Sequence, residues 1–213
     1  MKYSVKEIYL TLQGEGSHAG RAAVFCRFSG CNLWSGKESD RLSAECQFCD
    51  TDFVGTDGKG GGKFNSSEEL AGTINTEWER NIDLNGFKLV VFTGGEPALQ
   101  ISQELIDTLR TLGFECAIET NGTVPLRATL DWVTVSPKIF GKLAVSSGHE
   151  LKLVFPQKLI SPDMYRDLHF KYFFLQPMDG IDYKENLRLT IAYCLKNPQW
   201  KLSIQTHKYI GID

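Results

Sequence analysis

Short apolar runs alternate with longer segments of helical periodicity through most of the 213 residues. That alternation is the signature of an α/β fold built on a largely parallel sheet. The apolar runs predict strands over 22–28, 88–92, 116–119, 132–135, 150–155, 172–175 and 201–205. Helices are expected over 67–80, 102–112, 163–168 and 183–196. The second opens on Ser102, with Glu104 in its first turn where an acid complements the helix dipole, and Gly113 stands where a helix stops. Too few residues separate Val135 from Leu153 for a full crossover helix. The expected architecture is an incomplete parallel β/α barrel with fewer helices than strands, in one domain over 1–213.

Polar clusters follow five of these strands. They are Thr93-Gly94-Gly95-Glu96-Pro97, Glu119-Thr120-Asn121-Gly122, Ser136-Pro137-Lys138, Gln176-Pro177-Met178-Asp179 and Gln205-Thr206-His207-Lys208. Any one alone reads as turn chemistry. Five at the same end of five strands make a polar ring, at the mouth where barrel-like folds bind ligands. The glycine-rich run 55–62, followed by Lys63 and Phe64, misses the phosphate-loop spacing and reads as a flexible surface loop.

Three of the six cysteines stand together, as Cys31 and, fourteen residues further on, Cys46-Gln47-Phe48-Cys49 followed by Asp50-Thr51. Three thiolates can hold an iron–sulfur cluster and leave one iron open to an outside ligand. A Cys-x-x-Cys pair is equally half of a structural zinc site, whose other ligands would include Cys26, Cys116, Cys194 or a histidine such as His18. Spacing alone leaves both open. Cys26, Cys116 and Cys194 lie in apolar surroundings and read as core thiols. With 42% hydrophobic residues the chain has no need of a disulfide framework. Residues 32–45 form an insertion inside the cysteine loop, with a solvated stretch at 37–45 suited to a short helix.

The net charge is −3 with dispersed basic residues, which argues against a nucleic-acid partner. The first residues have no apolar signal core, and no apolar run approaches the length of a membrane span. Free thiols without an export signal indicate a reducing cytoplasm.

The three-cysteine loop, with Phe92-Thr93-Gly94-Gly95-Glu96-Pro97 after an apolar strand, resembles the radical S-adenosylmethionine superfamily. Its usual motif has three residues between the first two cysteines, where this chain has fourteen. Leu12-Gln13-Gly14-Glu15-Gly16, Arg27-Phe28-Ser29-Gly30-Cys31-Asn32-Leu33-Trp34 and the C-terminal Gln205-Thr206-His207-Lys208 are similar to the 7-carboxy-7-deazaguanine synthases. Some members of that family carry a lengthened cysteine loop. The resemblance covers nearly the whole chain. It implies conversion of 6-carboxy-5,6,7,8-tetrahydropterin to 7-carboxy-7-deazaguanine, with loss of ammonia, on the route to 7-deazapurines such as queuosine. A 4Fe–4S cluster, S-adenosylmethionine, Mg2+, a homodimer and a reducing partner such as flavodoxin are implied with it.

The resemblance also implies roles. Cys31, Cys46 and Cys49 bind three irons, and the fourth takes the amino and carboxylate groups of the cofactor. Phe48 packs on its adenine. The Gly94-Gly95-Glu96 turn, where glycines would admit a close ligand to backbone amides and carbonyls, takes the methionine amino group. Asp50, Ser136, Pro137, Lys138, Gln176, Pro177, Met178 and Asp179 hold the rest of the cofactor. Arg27 clamps the substrate carboxylate. Thr51 offers its hydroxyl to Mg2+, with a helix N-cap as its bland alternative. Leu12, Gln13, Gly14, Glu15, Thr93 and His207 contact the pterin, and the chain end at Asp213 pairs with its aminopyrimidinone edge. Glu119 and Asn121 are weaker candidates. The rivals are a glycyl-radical activase acting on a partner protein and a zinc-stabilised binding module without catalysis.

Overall fold

The computed structural model describes residues 2–81, 86–138, 141 and 143–212. Nine strands hydrogen-bond into one sheet: β1 (Tyr3–Leu12), β2 (Ala22–Phe28), β3 (Gly62–Phe64), β4 (Lys88–Gly94), β5 (Phe114–Thr120), β6 (Trp132–Val135), β7 (Ser147–Phe155), β8 (His169–Pro177) and β9 (Trp200–Leu202). Among the described residues four α-helices accompany them: α1 (Ser67–Asn81), α2 (Gln103–Thr111), α3 (Tyr183–Lys196) and α4 (Thr206–Ile210). The order across the sheet is β3-β1-β2-β4-β5-β6-β7-β8-β9. β2 and β4 to β9 run parallel, while β1 and β3 add an antiparallel edge.

All seven expected strands are present, although the last is shorter, ending at Leu202. β1 escapes a reading by periodicity because its register shifts between Val5 and Glu7. Such a bulge breaks the two-residue alternation that marks a strand. Three of the expected helices stand. α2 is capped as anticipated, with the Ser102 hydroxyl oxygen accepting from Leu105 N at 3.3 Å. The expected helix over 163–168 is not one; a single 3-10 turn, Pro162–Met164, occupies its start. Six residues cannot propagate past the costly first turn without a packed face. The insertion does form a short 3-10 helix, Glu38–Ser43.

The glycine-rich segment does not stand free as a loop. Gly58 N donates to Lys6 O at 2.9 Å, and Ile8 N donates to Lys59 O at 2.7 Å, so the segment lies along β1. A Cβ on Gly61 would sit 2.1 Å from the Lys6 carbonyl oxygen. Those glycines serve a backbone-to-backbone approach rather than mobility.

The two faces of the sheet differ. Val24, Cys26, Phe28, Val90, Phe92, Ile118, Val135, Leu151 and Leu153 pack with α1 and α2 residues such as Leu70, Ile74, Trp78, Leu105 and Leu109. Each such aliphatic or aromatic side chain stabilises the fold by about 1.5–3 kcal/mol. Ala23, Leu89, Val91 and Ala117 form a small apolar patch elsewhere on the sheet, flanked by Phe25 and Trp132. The sheet curls: Gly16 N, in the loop after β1, donates to the Ser203 hydroxyl oxygen, just after β9, at 3.0 Å. Thr206 N donates to Gly14 O at 3.0 Å across the same seam.

Candidate active site

A pocket of about 320 Å³ opens inside the curl. Cys31, Cys46 and Cys49 all line it, and all six cysteines of the chain are free. Burial pushes the Cys31 and Cys46 thiols above their usual range, and neighbouring thiols add to the effect. Lys138 pulls Cys46 the other way, with its ammonium 5.4 Å from the Phe48 ring centroid. Cys26 and Cys116 are buried core thiols, the latter pushed up to about 12 by burial.

The insertion shapes the cysteine loop. The Arg41 guanidinium lies 4.0 Å from the centroid of the Trp34 ring and donates to the carbonyls of Gln47 and Cys49, each at 3.0 Å. Trp34 in turn meets Phe53 edge-on, with centroids 5.6 Å apart. Thr51 lines the pocket, and no helix follows it, so the N-cap alternative fails. The short-range turn there belongs to Asp52, whose side chain accepts from Val54 N at 3.1 Å.

The Gly94-Gly95-Glu96 turn is bonded into the protein through its amides, which leaves the methionine amino group to carbonyl acceptors. Its Gly95 and Glu96 amides are not free for a ligand; they donate to the carbonyls of Phe28 and Gly30, at 3.0 and 2.9 Å. What the glycines admit closely is the protein's own chain leading into Cys31. A Cβ on Gly94, whose φ is +113°, would sit 2.3 Å from Phe28 O. Glu96 is fully buried and its side chain faces inward, accepting from Ala98 N, the Thr120 hydroxyl and Asn121 N at 3.0, 2.6 and 2.7 Å. Burial raises this carboxyl, against the pull of those donors. Gly94 and Gly95 line the pocket, whereas Glu96 and the buried Pro137 lie behind its wall.

The other expected residues converge. Leu12, Gln13, Gly14, Glu15 and Thr93 line the pocket, as do Phe48, Asp50, Ser136 and Lys138. Gln176, Pro177, Met178 and Asp179 border it at the end of β8, and His207 at the start of α4. Arg27 is on the wall too, but it is not idle. Its Nη2 donates to the Tyr9 hydroxyl at 2.7 Å, and its Nε is a misaligned charge contact 2.8 Å from Glu7 Oε1. Asp213 lies outside the described residues.

Beneath these groups lies a charged network. Lys152, with 4% of its side chain exposed, donates to Glu15 Oε2 and, at 3.2 Å, to Glu119 Oε2. Burial alone would depress the ammonium, but Glu119, Glu15 and Glu150 together raise it. Glu15 keeps a lowered pKa because Lys152 outweighs its burial. Glu150, with no such close partner, is pushed up by burial, and its Oε2 accepts from Ser17 N at 2.9 Å.

Sequence reasoning missed Lys152, and the polar ring gave Lys208 no role. Lys208 lines the pocket and bridges Asp50 and Asp179 at 2.8 and 2.5 Å. The signal for Lys152 was available. Parallel strands covered on both faces are apolar throughout, so the alternation Glu150-Leu151-Lys152-Leu153 in a central strand marks a polar interior.

No family model matches the chain. A Bradyrhizobium diazoefficiens protein named 7-carboxy-7-deazaguanine synthase is 58% identical over 212 residues, covering 100% of both chains. A Caulobacter vibrioides protein of the same name is 57% identical over 212 residues, again with 100% of each chain covered. Among solved structures, that of QueE from Escherichia coli superposes with a TM-score of 0.69 at 30% identity, covering 97% of this chain and 95% of that one.

Proposed function

The chain belongs to the 7-carboxy-7-deazaguanine synthase family, and from that premise we propose how its own residues carry the reaction. It is a radical S-adenosylmethionine lyase that converts 6-carboxy-5,6,7,8-tetrahydropterin to 7-carboxy-7-deazaguanine and ammonia. Neither an activase of a partner protein nor a zinc-stabilised binding module accounts for this likeness along the full chain.

The observation that carries the assignment of roles is the convergence of three free thiols and the Gln13–Glu15 segment on one pocket. Among the described residues no three His, Cys, Asp or Glu side chains close on a single ion. A cluster's thiolates bind separate irons, so three thiols spread along one pocket wall are a donor set that it can use. The buried Gln176 Oε1 has no hydrogen-bond partner, so the wall also carries an acceptor awaiting a donor. The residues present therefore fit both the cluster and the cofactor.

Cys31, Cys46 and Cys49 would hold the 4Fe–4S cluster, and Thr51 would offer a hydroxyl to Mg2+, a hard ion that keeps most of its waters. When bound, the cluster and cofactor supply a radical that removes hydrogen from the substrate. Phe48, Ser136 and Lys138 would border the cofactor from one side, and Gln176 to Asp179 from the other. Gln13, Glu15, Thr93 and His207 would hold the pterin. Arg27 has five N–H donors, so its contacts to Glu7 and Tyr9 leave others for the substrate carboxylate. A homodimer and a reducing partner such as flavodoxin complete the reading. Six free thiols fit a reducing compartment, and among the described residues no helix is long and apolar enough to cross a membrane.

The test is anaerobic reconstitution, with iron and sulfide counted, followed by reductant, S-adenosylmethionine, Mg2+ and the carboxytetrahydropterin. Deazaguanine product that disappears in Cys46→Ala is expected. Cofactor cleavage without product would overturn the substrate assignment, and zinc without sulfide would overturn the cluster.

A further inference from the structure

Resting on the synthase reading, a second role emerges for the charged network. Lys152 sits in β7, paired on both sides within the parallel sheet, with its ammonium turned into the pocket. An ammonium held out of water is tolerated only when paired and fully hydrogen-bonded. Here its partners lead in two directions. Glu119 takes Lys152 on Oε2, and its Oε1 accepts from Gln13 Nε2 at 2.9 Å. Glu15 takes Lys152 on Oε2, and its Oε1 accepts from Gln176 Nε2 at 3.1 Å. The ends of this chain of contacts are Gln13 on the substrate side and Gln176 on the cofactor side.

The Gln176 end is one-sided. An ionised carboxylate only accepts, so Glu15 must face the amide nitrogen of Gln176 and not its oxygen. That choice turns Oε1 away from Glu15, where it is buried without a partner in a residue 7% exposed. We propose that Lys152 is a positioning residue coupling the two ligand sites: by pinning Glu15 as an acceptor it presents Gln176 Oε1 to an N–H or O–H donor of the cofactor, and through Glu119 it orients Gln13 toward the substrate. A Lys152 that merely stabilised the fold would leave ligand affinities alone in any folded variant.

The experiment uses reconstituted enzyme without reductant, so that ligands bind and no turnover occurs. Affinities for S-adenosylmethionine and for the carboxytetrahydropterin are measured by calorimetry, alongside iron content. In Lys152→Met both affinities should fall by roughly tenfold or more. In a Gln176→Leu background the same substitution should cost no further cofactor affinity, because the relay ends at that amide. Wild-type affinities in Lys152→Met, or a cofactor loss undiminished beside Gln176→Leu, would overturn the proposal. Should Lys152→Met fail to hold its cluster, Glu15→Gln carries the test, since it removes the acceptor-only constraint at similar shape. Unchanged cofactor affinity there would be equally fatal. If wild-type enzyme binds the cofactor but not the pterin, the synthase reading falls while the cofactor arm still decides the role of Lys152.

Discussion

Gly95 and Gly30 are in backbone contact: a Cβ on Gly95 would lie 1.9 Å from the Gly30 carbonyl oxygen, which already accepts from Glu96 N at 2.9 Å. The Gly-Gly turn thus braces the residue that precedes Cys31. Gly95→Ala should displace that segment, and a misplacement of about 1 Å costs on the order of 100-fold in rate. Iron per chain after reconstitution checks the cause, because full cluster loading with wild-type turnover would exclude it.

Glu96 tests whether the fourth residue of the Thr-Gly-Gly-Glu stretch acts on ligands or on the fold. Its carboxylate accepts three hydrogen bonds while buried. Glu96→Gln would turn an amide N–H₂ against one of those donors, so stability should drop by about 2–3 kcal/mol. Denaturant unfolding of the cluster-free protein measures it, and an unchanged midpoint would contradict a structural role.

Glu150 predicts a pH dependence of the opposite sign from that of an ion-paired carboxylate such as Glu15. Its folded pKa lies above the unfolded value, chiefly through burial. The folded state therefore holds its proton more tightly, and that contribution is present below the unfolded pKa and lost as pH rises through the folded one. Glu150→Gln removes the loss. The variant should melt higher than wild type at neutral pH and level with it near pH 4. Melting curves at the two pH values decide it.

Arg41 joins the insertion to the cysteine loop through Gln47 O and Cys49 O. Arg41→Ala should leave the cluster able to form but release its iron severalfold faster under chelator challenge. Retention equal to wild type would reduce the insertion to a passive surface feature.

What could be read without coordinates follows a physical divide. Cys46-Gln47-Phe48-Cys49 and the strand-end clusters are local in sequence, and their chemistry shows in residue type alone. Lys152 shows in the sequence only as an alternation along β7, because its partners Glu15 and Glu119 come from distant segments. The Gly94-Gly95 turn was located correctly, yet its partner, the Phe28–Gly30 backbone, is more than sixty residues away. β1 was hidden by one bulge, and the glycine run beside it by the absence of side chains to pattern.

The seam between the sheet's ends has a consequence for timing. The amides of Gly16, Ser17 and Thr206 bond to Ser203 Oγ, Glu150 Oε2 and Gly14 O rather than to a neighbouring strand. Deuterium uptake at these three amides would therefore follow the parting of the curl apart from the unfolding of the sheet. Gln13 and Glu15 flank the same stretch, so a bound pterin should slow that uptake, and occupancy could be timed on an enzyme that never turns over.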